Sequence, residues 1–495
     1  MFDVVGRLLF KIQTFLDLLR LPFSPNLQVS LKTQAKQALN QTMTMNATSR
    51  QQRYSNRPID ILVHGATGFT GQRVVKHLLA KHPELNVAIC GRSRDKLIAL
   101  DLGWDESKCE SSIFVVSNVV EESEKLMEVF SKTKIVIACA GPYRQCGMSI
   151  LEAAVEARAD YLDLCGEPQF FDDALLSFDR EAREAGVLAC HAAAFDCVPA
   201  ELGAALAERV LGTTCAGIEV IHTMKNVSSA NATTWHAAVD GFYAASSGEL
   251  AKSRRKVKES YPEFQETMAP IRPADWQRKP ETPGVLPRYN EELGLRTMKF
   301  VGADASAVRS SWRYLRSRRP DHSRRGVAIP EPRLSVLIGM DAKDSMSAFK
   351  VLSYGAAFSF LARYKWGCNM LHSSPETFSN GVFTTGGPTQ AELEKGSFTT
   401  YVTAFGTNKS DKRARVKVSG PEPGYVATPS LIVALALTIL GDGKPGNDAK
   451  LSFESGVTLP GALFCDSDLV FENLRNEGVF FDVVDNFDDS SQSPV

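Results

Sequence analysis

The stretch that most restricts this chain is Gly65-Ala66-Thr67-Gly68-Phe69-Thr70-Gly71, set between the apolar run Ile59–His64 and a helical pattern over Gln72–Lys81. Gly65 lets the chain turn sharply off a strand. Gly68 removes a side chain where backbone must approach a ligand, and Gly71 lets the helix lie close to the sheet. The N–H groups that open such a helix face outward, and its dipole favours an anion there. The spacing is G-x-x-G-x-x-G rather than G-x-G-x-x-G, but strand, loop and helix stand in the order a pyrophosphate turn needs. The competing reading is a βα turn with a purely structural role.

The pattern around that loop is regular. Short apolar runs at Ile59–His64, Asn86–Cys90, Ile113–Val116, Ile135–Cys139, Tyr161–Leu164 and Val187–His191 alternate with helical stretches at Gln72–Lys81, Asp95–Leu100, Glu122–Ser131, Ser149–Ala157 and Phe171–Ala185. Buried strands alternating with helices specify a parallel sheet covered on both faces, and right-handed crossovers make it doubly wound. The expected fold class is therefore α/β, a Rossmann-type sheet over residues 58–211. A second α+β domain, for substrate or dimerisation, is expected over 212–425, with strands near Gly217–Thr223, Arg333–Ile338, Ser397–Phe405 and Arg413–Ser419. Gly248–Arg325, rich in proline and arginine, reads as surface connections. Closing helices over 426–482 and a frayed acidic tail over 483–495 complete the expected organisation.

In this architecture ligands sit at the carboxyl ends of the strands. After the second strand stand Arg92, Ser93 and Arg94, with no acid to accept from a ribose 2′-hydroxyl. Arginine there favours a 2′-phosphate, so NADP is expected over NAD; solvated arginines are the alternative. Asn118 follows the third strand, toward the adenine. Ala140-Gly141-Pro142 follows the fourth, toward the nicotinamide. Tyr143, Asp163 and Asp196 are the candidate proton donors or substrate ligands, with Arg144, Tyr161, Glu167 and His191 at neighbouring strand ends. Bland readings stand beside them: helix capping for Glu167 and Asp196, and a satisfied core position for His191. No Tyr is followed four residues later by Lys, so the pair used by short-chain dehydrogenases is missing.

Composition excludes several classes. A net charge of −1 over 495 residues supplies no general attraction to nucleic acid. Ten scattered cysteines without a C-x-x-C pair, and no histidine cluster, offer no metal site and suggest free thiols in a reducing compartment. No run reaches the roughly 20 apolar residues of a membrane span. The best two, Val351–Ala362 and Leu431–Leu440, are expected to be buried helices, although the first could instead dip into a lipid surface. Residues 1–57 carry eight Lys/Arg against two acids. Met1–Leu21 projects as an amphipathic helix and Gln28–Asn56 as a flexible linker, which fits an organelle-targeting peptide, a membrane-surface anchor or an untargeted extension.

The motifs together resemble the saccharopine dehydrogenase-like oxidoreductase family, which includes the trans-acting enoyl reductases. The resemblance rests on GATGFTG (65–71), AICGRSRDKL (88–97), CAGPYRQCG (139–147), YLDLCGE (161–167), AAFDCVPAELG (193–203), GGPTQAELEKGSF (386–398) and GVTLPGALF (456–464). It implies a nicotinamide cofactor and a hydrophobic, lipid-related carbonyl or enoyl substrate. It also implies contact with a membrane or lipid-droplet surface; a mitochondrial location is the other expectation, from the targeting reading of residues 1–57. A homodimer is a further expectation. The alternative is a nucleotide-binding scaffold at a lipid surface that has lost turnover. Ser228–Asp240 departs from the glycine-rich pattern of relatives.

Overall fold

The computed structural model describes residues 50–264, 279–318, 331–342, 345–407, 412–442 and 449–487, all within the compact unit Arg50–Val495. The helix expected over Met1–Leu21 lies outside the described residues.

Six strands form the expected sheet: β1 (Ile59–His64), β2 (Val87–Gly91), β3 (Ile113–Val115), β4 (Thr133–Ala138), β5 (Asp160–Asp163) and β6 (Leu188–Cys190). Every pairing is parallel, in the spatial order β3-β2-β1-β4-β5-β6. β1 is central, with Val63 beside Ile89 of β2 on one flank and Ile137 of β4 on the other. β2 is buried at all five positions, as a strand covered on both faces must be. The strand order reverses between β1 and β4. That crevice is where a doubly wound sheet takes a dinucleotide.

The remaining strands are β7 (Cys215–Lys225), β8 (Ala230–Asn231), β9 (Arg288–Asn290), β10 (Leu295–Lys299), β11 (Arg333–Asp341), β12 (Phe383–Thr384), β13 (Ser397–Gly406), β14 (Arg413–Pro421), β15 (Gly456–Thr458) and β16 (Phe480–Phe487). Seven of them form a second, mixed sheet in the order β16-β14-β13-β7-β11-β10-β9. The helix Cys197–Leu211 leaves β6 and packs on β13 and β14, burying Ala200, Leu202, Ala204 and Ala207 against the second sheet. One hydrophobic core therefore runs through both sheets.

Several boundaries differ from the sequence expectation. Residues Arg50–Tyr54 form a helix, not linker, because Arg50, Arg53 and Tyr54 all bond to the buried Asp160 carboxylate. The region 426–482 supplies more than closing helices, since β15 extends the first sheet beside β6. The tail joins the fold as far as Phe487, because β16 pairs antiparallel with β14. Apolar side chains at Phe480, Phe481, Val483 and Val484 outweigh the acids that suggested fraying. Gly248–Arg325 holds two regular helices, Glu249–Ser260 and Asp304–Arg318. Of the two apolar candidates, Leu431–Leu440 is buried inside the helix Thr428–Gly441. The longer helical segment Pro423–Gly441 has the length and apolarity of a span, but 83% of its apolar window is buried within the protein. Val351–Ala362 behaves oppositely, with Tyr354 and Phe360 exposed.

Candidate functional site

The loop after β1 turns at Gly65, whose φ of +78° lies in the left-handed region that favours glycine. Its N–H donates to Cys90 O at 2.9 Å, tying the loop to the end of β2. Gly71 opens the helix Gly71–Lys81 so close to this turn that a Cβ there would fall 2.2 Å from Gly65 O. No side chain but hydrogen fits between two backbones at that spacing. Gly65 thus makes the sharp turn, and Gly71 the close helix approach, that each was expected to make.

Ala66 N–H donates to Cys90 O and Gly68 N–H to Gly65 O. The N–H groups of Thr67, Phe69, Thr70 and Gly71 donate to no backbone acceptor among the described residues. Thr70, at the N-cap, makes no side-chain cap bond either. Exposed Gly68 stands among these donors. Four free amides at a helix start, at the switch point of the sheet, fit a diphosphate.

Phe69 points the other way and locks the loop to the rest of the molecule. Its ring meets Tyr425 edge-on at 4.7 Å, and the Arg73 guanidinium lies 3.8 Å over it while donating to Phe69 O. Phe69 is a wedge rather than a cofactor contact, and its backbone amide is the part available to a ligand.

At the end of β2, Arg92 is exposed and makes no hydrogen bond or ion pair among the described residues. Ser93 caps the short helix Arg94–Ile98 by accepting from Lys96 N–H. Asn118 is exposed and caps a turn through Val120 N–H and Glu121 N–H. Ala140-Gly141-Pro142, with a cis Gly141–Pro142 bond, lies across the switch point from Gly65 and leads into the helix Tyr143–Glu156.

Two of the three candidate proton donors turn out to be committed elsewhere. The Tyr143 hydroxyl donates to Ala138 O at 2.7 Å and accepts from Leu164 N–H, bracing the ends of β4 and β5. Burial, then the Asp163 charge, holds its proton far above the usual phenol range. Asp163 is fully buried, and its carboxylate accepts from Cys165 N–H, Ala192 N–H and His191 Nδ1–H. Both stitch the crest loops together. Glu167 does not cap its helix; it accepts from Arg144 Nε at 2.8 Å. His191 is a core residue ringed by Tyr161, Phe170 and Phe171, with Nε2 left without a hydrogen-bond partner.

Asp196 is different. It is half-buried, its side chain makes no cap bond, and its backbone is held at φ +79°, ψ −71°, a conformation that costs a non-glycine residue about 1–3 kcal/mol. The surroundings explain its chemistry. Burial, then the Asp304 carboxylate, push its carboxyl up to about 7, against the opposing pull of His222. His222 Nε2 lies 3.1 Å from Asp304 Oδ1, and its Nδ1 lies 2.8 Å from the Thr400 hydroxyl. Asp304 Oδ2 is buried with no hydrogen-bond partner among the described residues. Sequence reasoning missed Asp304, His222 and Thr400. The apolar spacing Ala303, Ala307, Val308, Trp312 could have revealed the helix that carries Asp304, but flanking prolines and arginines masked it.

The comparisons with known proteins join this geometry to a lineage. Residues 61–190 match the family model of the saccharopine dehydrogenase NADP binding domain. The saccharopine dehydrogenase-like oxidoreductase of Homo sapiens is 31% identical over 453 residues, covering 86% of this chain and 98% of that protein. The chain belongs to the saccharopine dehydrogenase-like oxidoreductase family. Within that family, a lipid droplet localized protein of Caenorhabditis elegans is 25% identical, covering 87% of this chain and 99% of its own length. A Mycobacterium tuberculosis protein, provisionally named a trans-acting enoyl reductase, is also 25% identical, over 86% of this chain and 97% of its own length. Among solved structures, the saccharopine dehydrogenase (L-Glu forming) of Saccharomyces cerevisiae aligns over 86% of this chain and all of that one, with 12% identity and a TM-score of 0.49. As a saccharopine dehydrogenase-like oxidoreductase, the chain takes a nicotinamide dinucleotide as its cofactor, and the free amides after β1 suit its pyrophosphate.

Proposed function

We propose that this protein is an NADP-preferring oxidoreductase that reduces a hydrophobic, lipid-related carbonyl or enoyl compound. The observation that carries the reading is the set of free amides of Thr67, Phe69, Thr70 and Gly71 at the β1–β4 switch point. In the loop Gly65, Ala66, Thr67, Gly68, Phe69, Thr70 and Gly71, the amides of Thr67, Phe69, Thr70 and Gly71 would hold the diphosphate, while Gly65, Ala66 and Gly68 would shape the turn around it. Arg92 and Ser93 would meet a 2′-phosphate, Asn118 the adenine, and Ala140, Gly141 and Pro142 the nicotinamide end. The cofactor, when bound, supplies hydride. What the chain must add is a proton, and Asp196 supports that role by being half-buried, strained and, with its carboxyl pushed up to about 7, partly protonated at neutrality. Asp304 and His222 keep a second carboxylate and an imidazole beside it. The lipid character of the substrate rests on the two relatives whose names concern a lipid droplet and an enoyl reductase.

Replacing Arg92 by Ala should weaken NADPH roughly 10- to 100-fold, the range of a lost charge-assisted hydrogen bond, while NADH changes by less than about threefold. Equal losses in a fluorescence titration would remove the NADP preference.

Protonated Asp196 is the donor form, so the rate of reduction should be high below about 7 and fall as pH rises through it. Asp196→Asn should lower kcat by about 10²–10⁴ and erase that inflection. A variant with an unchanged pH profile would assign the proton elsewhere.

A second reading keeps the cofactor and drops turnover, making the protein a scaffold at a lipid surface. The closed hydrogen bonding of Tyr143 and Asp163 favours it. NADPH oxidation across a panel of long-chain aldehydes, ketones and enoyl esters decides: binding without oxidation selects the scaffold.

A further inference from the structure

We infer that the helix pair Ser345–Leu361 and Lys365–Ser373 docks this protein on an anionic lipid surface through an exposed aromatic and basic face. Five consecutive positions, Ser353 to Ala357, are exposed. At 3.6 residues per turn, five successive residues span the whole circumference, so every side of the helix meets solvent there, and the Tyr354 hydroxyl donates to Asn380 Oδ1 at 3.1 Å. Such a segment would ordinarily be polar. Here it reads Ser-Tyr-Gly-Ala-Ala, and Lys350 is the single charge between Ser345 and Leu361.

Further exposed apolar groups lie at the end of this helix and on the second. Tyr354 is 39% exposed, Phe360 55%, Tyr364 44%, Trp366 54% and Met370 44%. The rings are already assembled: Phe360 and Tyr364 lie 5.6 Å apart, and Tyr364 stacks on Trp366 at 5.9 Å. A contiguous apolar patch on a soluble surface marks something that covers it. Beneath it the helices have their own small core, formed by Trp235, Val239, Ala362, Cys368 and Leu371, separate from the main one. The face is thus carried on a lobe that can sink a few ångströms without disturbing the sheets.

Charge selects the occupant. Arg363 and Lys365 are exposed among the rings, and the sequence has no Asp or Glu from Ser345 to Pro375. A second copy packed face to face would set cations against cations with no acid to pair them. A bilayer or droplet monolayer containing acidic phospholipid meets every feature. Phe360 enters the acyl layer, Tyr364 and Trp366 take the headgroup level as aromatic anchors do, and Arg363 and Lys365 meet phosphate. This surface is independent of the cofactor loop and of any turnover there.

The full chain is mixed with vesicles of phosphatidylcholine carrying about a third phosphatidylserine, and with vesicles of phosphatidylcholine alone. The expected result is cosedimentation that favours the anionic vesicles, with Phe360→Ser/Trp366→Ser and Arg363→Glu/Lys365→Glu each reducing it at least about tenfold. NADPH affinity of both variants should stay at the parental value, which shows that they fold and keeps this test apart from the dinucleotide reading. Because residues 1–21 could bind lipid by themselves, insertion of the patch is read separately: brominated phosphatidylcholine should quench tryptophan emission, and Trp366→Phe should remove most of that quenching. Undiminished binding by both variants, or bromolipid quenching unchanged in Trp366→Phe, overturns the inference. So does a shift from dimer to monomer in the variants with vesicle binding intact.

Discussion

Replacing Asp160 by Ala should lower the unfolding free energy by about 3–5 kcal/mol, the usual cost of stripping one partner from a buried ionic network. Asp160 is fully buried on the first strand after the helix Tyr143–Glu156, and four groups converge on it. Arg50 Nε and Arg53 Nη2 each donate at 3.0 Å, Tyr54 OH at 2.5 Å and Leu188 N–H at 2.9 Å. Arg50 also pairs with Asp442 and donates to Glu454 O. Without the carboxylate, Arg53 keeps only a carbonyl, and a buried guanidinium faces an apolar void. The penalty exceeds that of an ordinary surface pair, which is worth about 0–1 kcal/mol, because neither cation can turn to water without breaking the helix Arg50–Tyr54. A chain beginning at Pro58 lacks all three side-chain donors and should be destabilised comparably. The check is a urea midpoint for each variant, with m unchanged. A loss below about 1 kcal/mol in Asp160→Ala would show that the network is dispensable, and that burial at Tyr54 alone anchors the segment.

This network also shows where the sequence was silent. Strands β1 to β6 were legible because burial on both faces forces near-continuous apolar runs, which composition alone reveals. The helix Arg50–Tyr54 carries no such mark. Its residues Arg-Gln-Gln-Arg-Tyr read as solvated linker, and only a partner more than a hundred residues away makes them core. β15 is equally hidden, since Gly456-Val-Thr is too short for any periodicity and gains its place by pairing with β6.

The candidate site divides along the same line. The glycine loop was legible because backbone geometry dictates residue type locally. Proton donors were not, because position at a strand end does not reveal what a side chain already holds. Tyr143 and Asp163 stand at the expected crest yet spend their hydrogen bonds on Ala138, Leu164, Cys165 and Ala192. Asp196 differs from them in a way the sequence could not state: its neighbours come from β7 and from the helix Asp304–Arg318.

Gly71→Ala should weaken NADPH by more than about a hundredfold, and the argument rests on backbone rather than on side chains. The added Cβ would lie 2.2 Å from Gly65 O, 3.0 Å from Gly65 C and 3.1 Å from Ala66 Cα. None of these atoms ends a flexible side chain, so the helix Gly71–Lys81 must retreat or the turn must open. Retreat is resisted by Val74, Val75 and Leu78, all fully buried under that helix. The turn is held by Gly65 N–H and Ala66 N–H on Cys90 O, which fixes it to β2. Overpacking of this kind costs roughly 1–3 kcal/mol in stability alone, and displacing several amides from one diphosphate adds to the loss in affinity. Gly241→Ala is the matched control. It sits inside the helix Ala232–Ser247, its Cβ would meet nothing within 4 Å, and alanine there should raise stability by up to about 1 kcal/mol while leaving NADPH affinity unchanged. Calorimetric titration of both variants, each with its thermal midpoint, separates the effects. Parental affinity in Gly71→Ala would mean that the amides of this loop do not hold the cofactor, and the dinucleotide would have to bind elsewhere on the sheet.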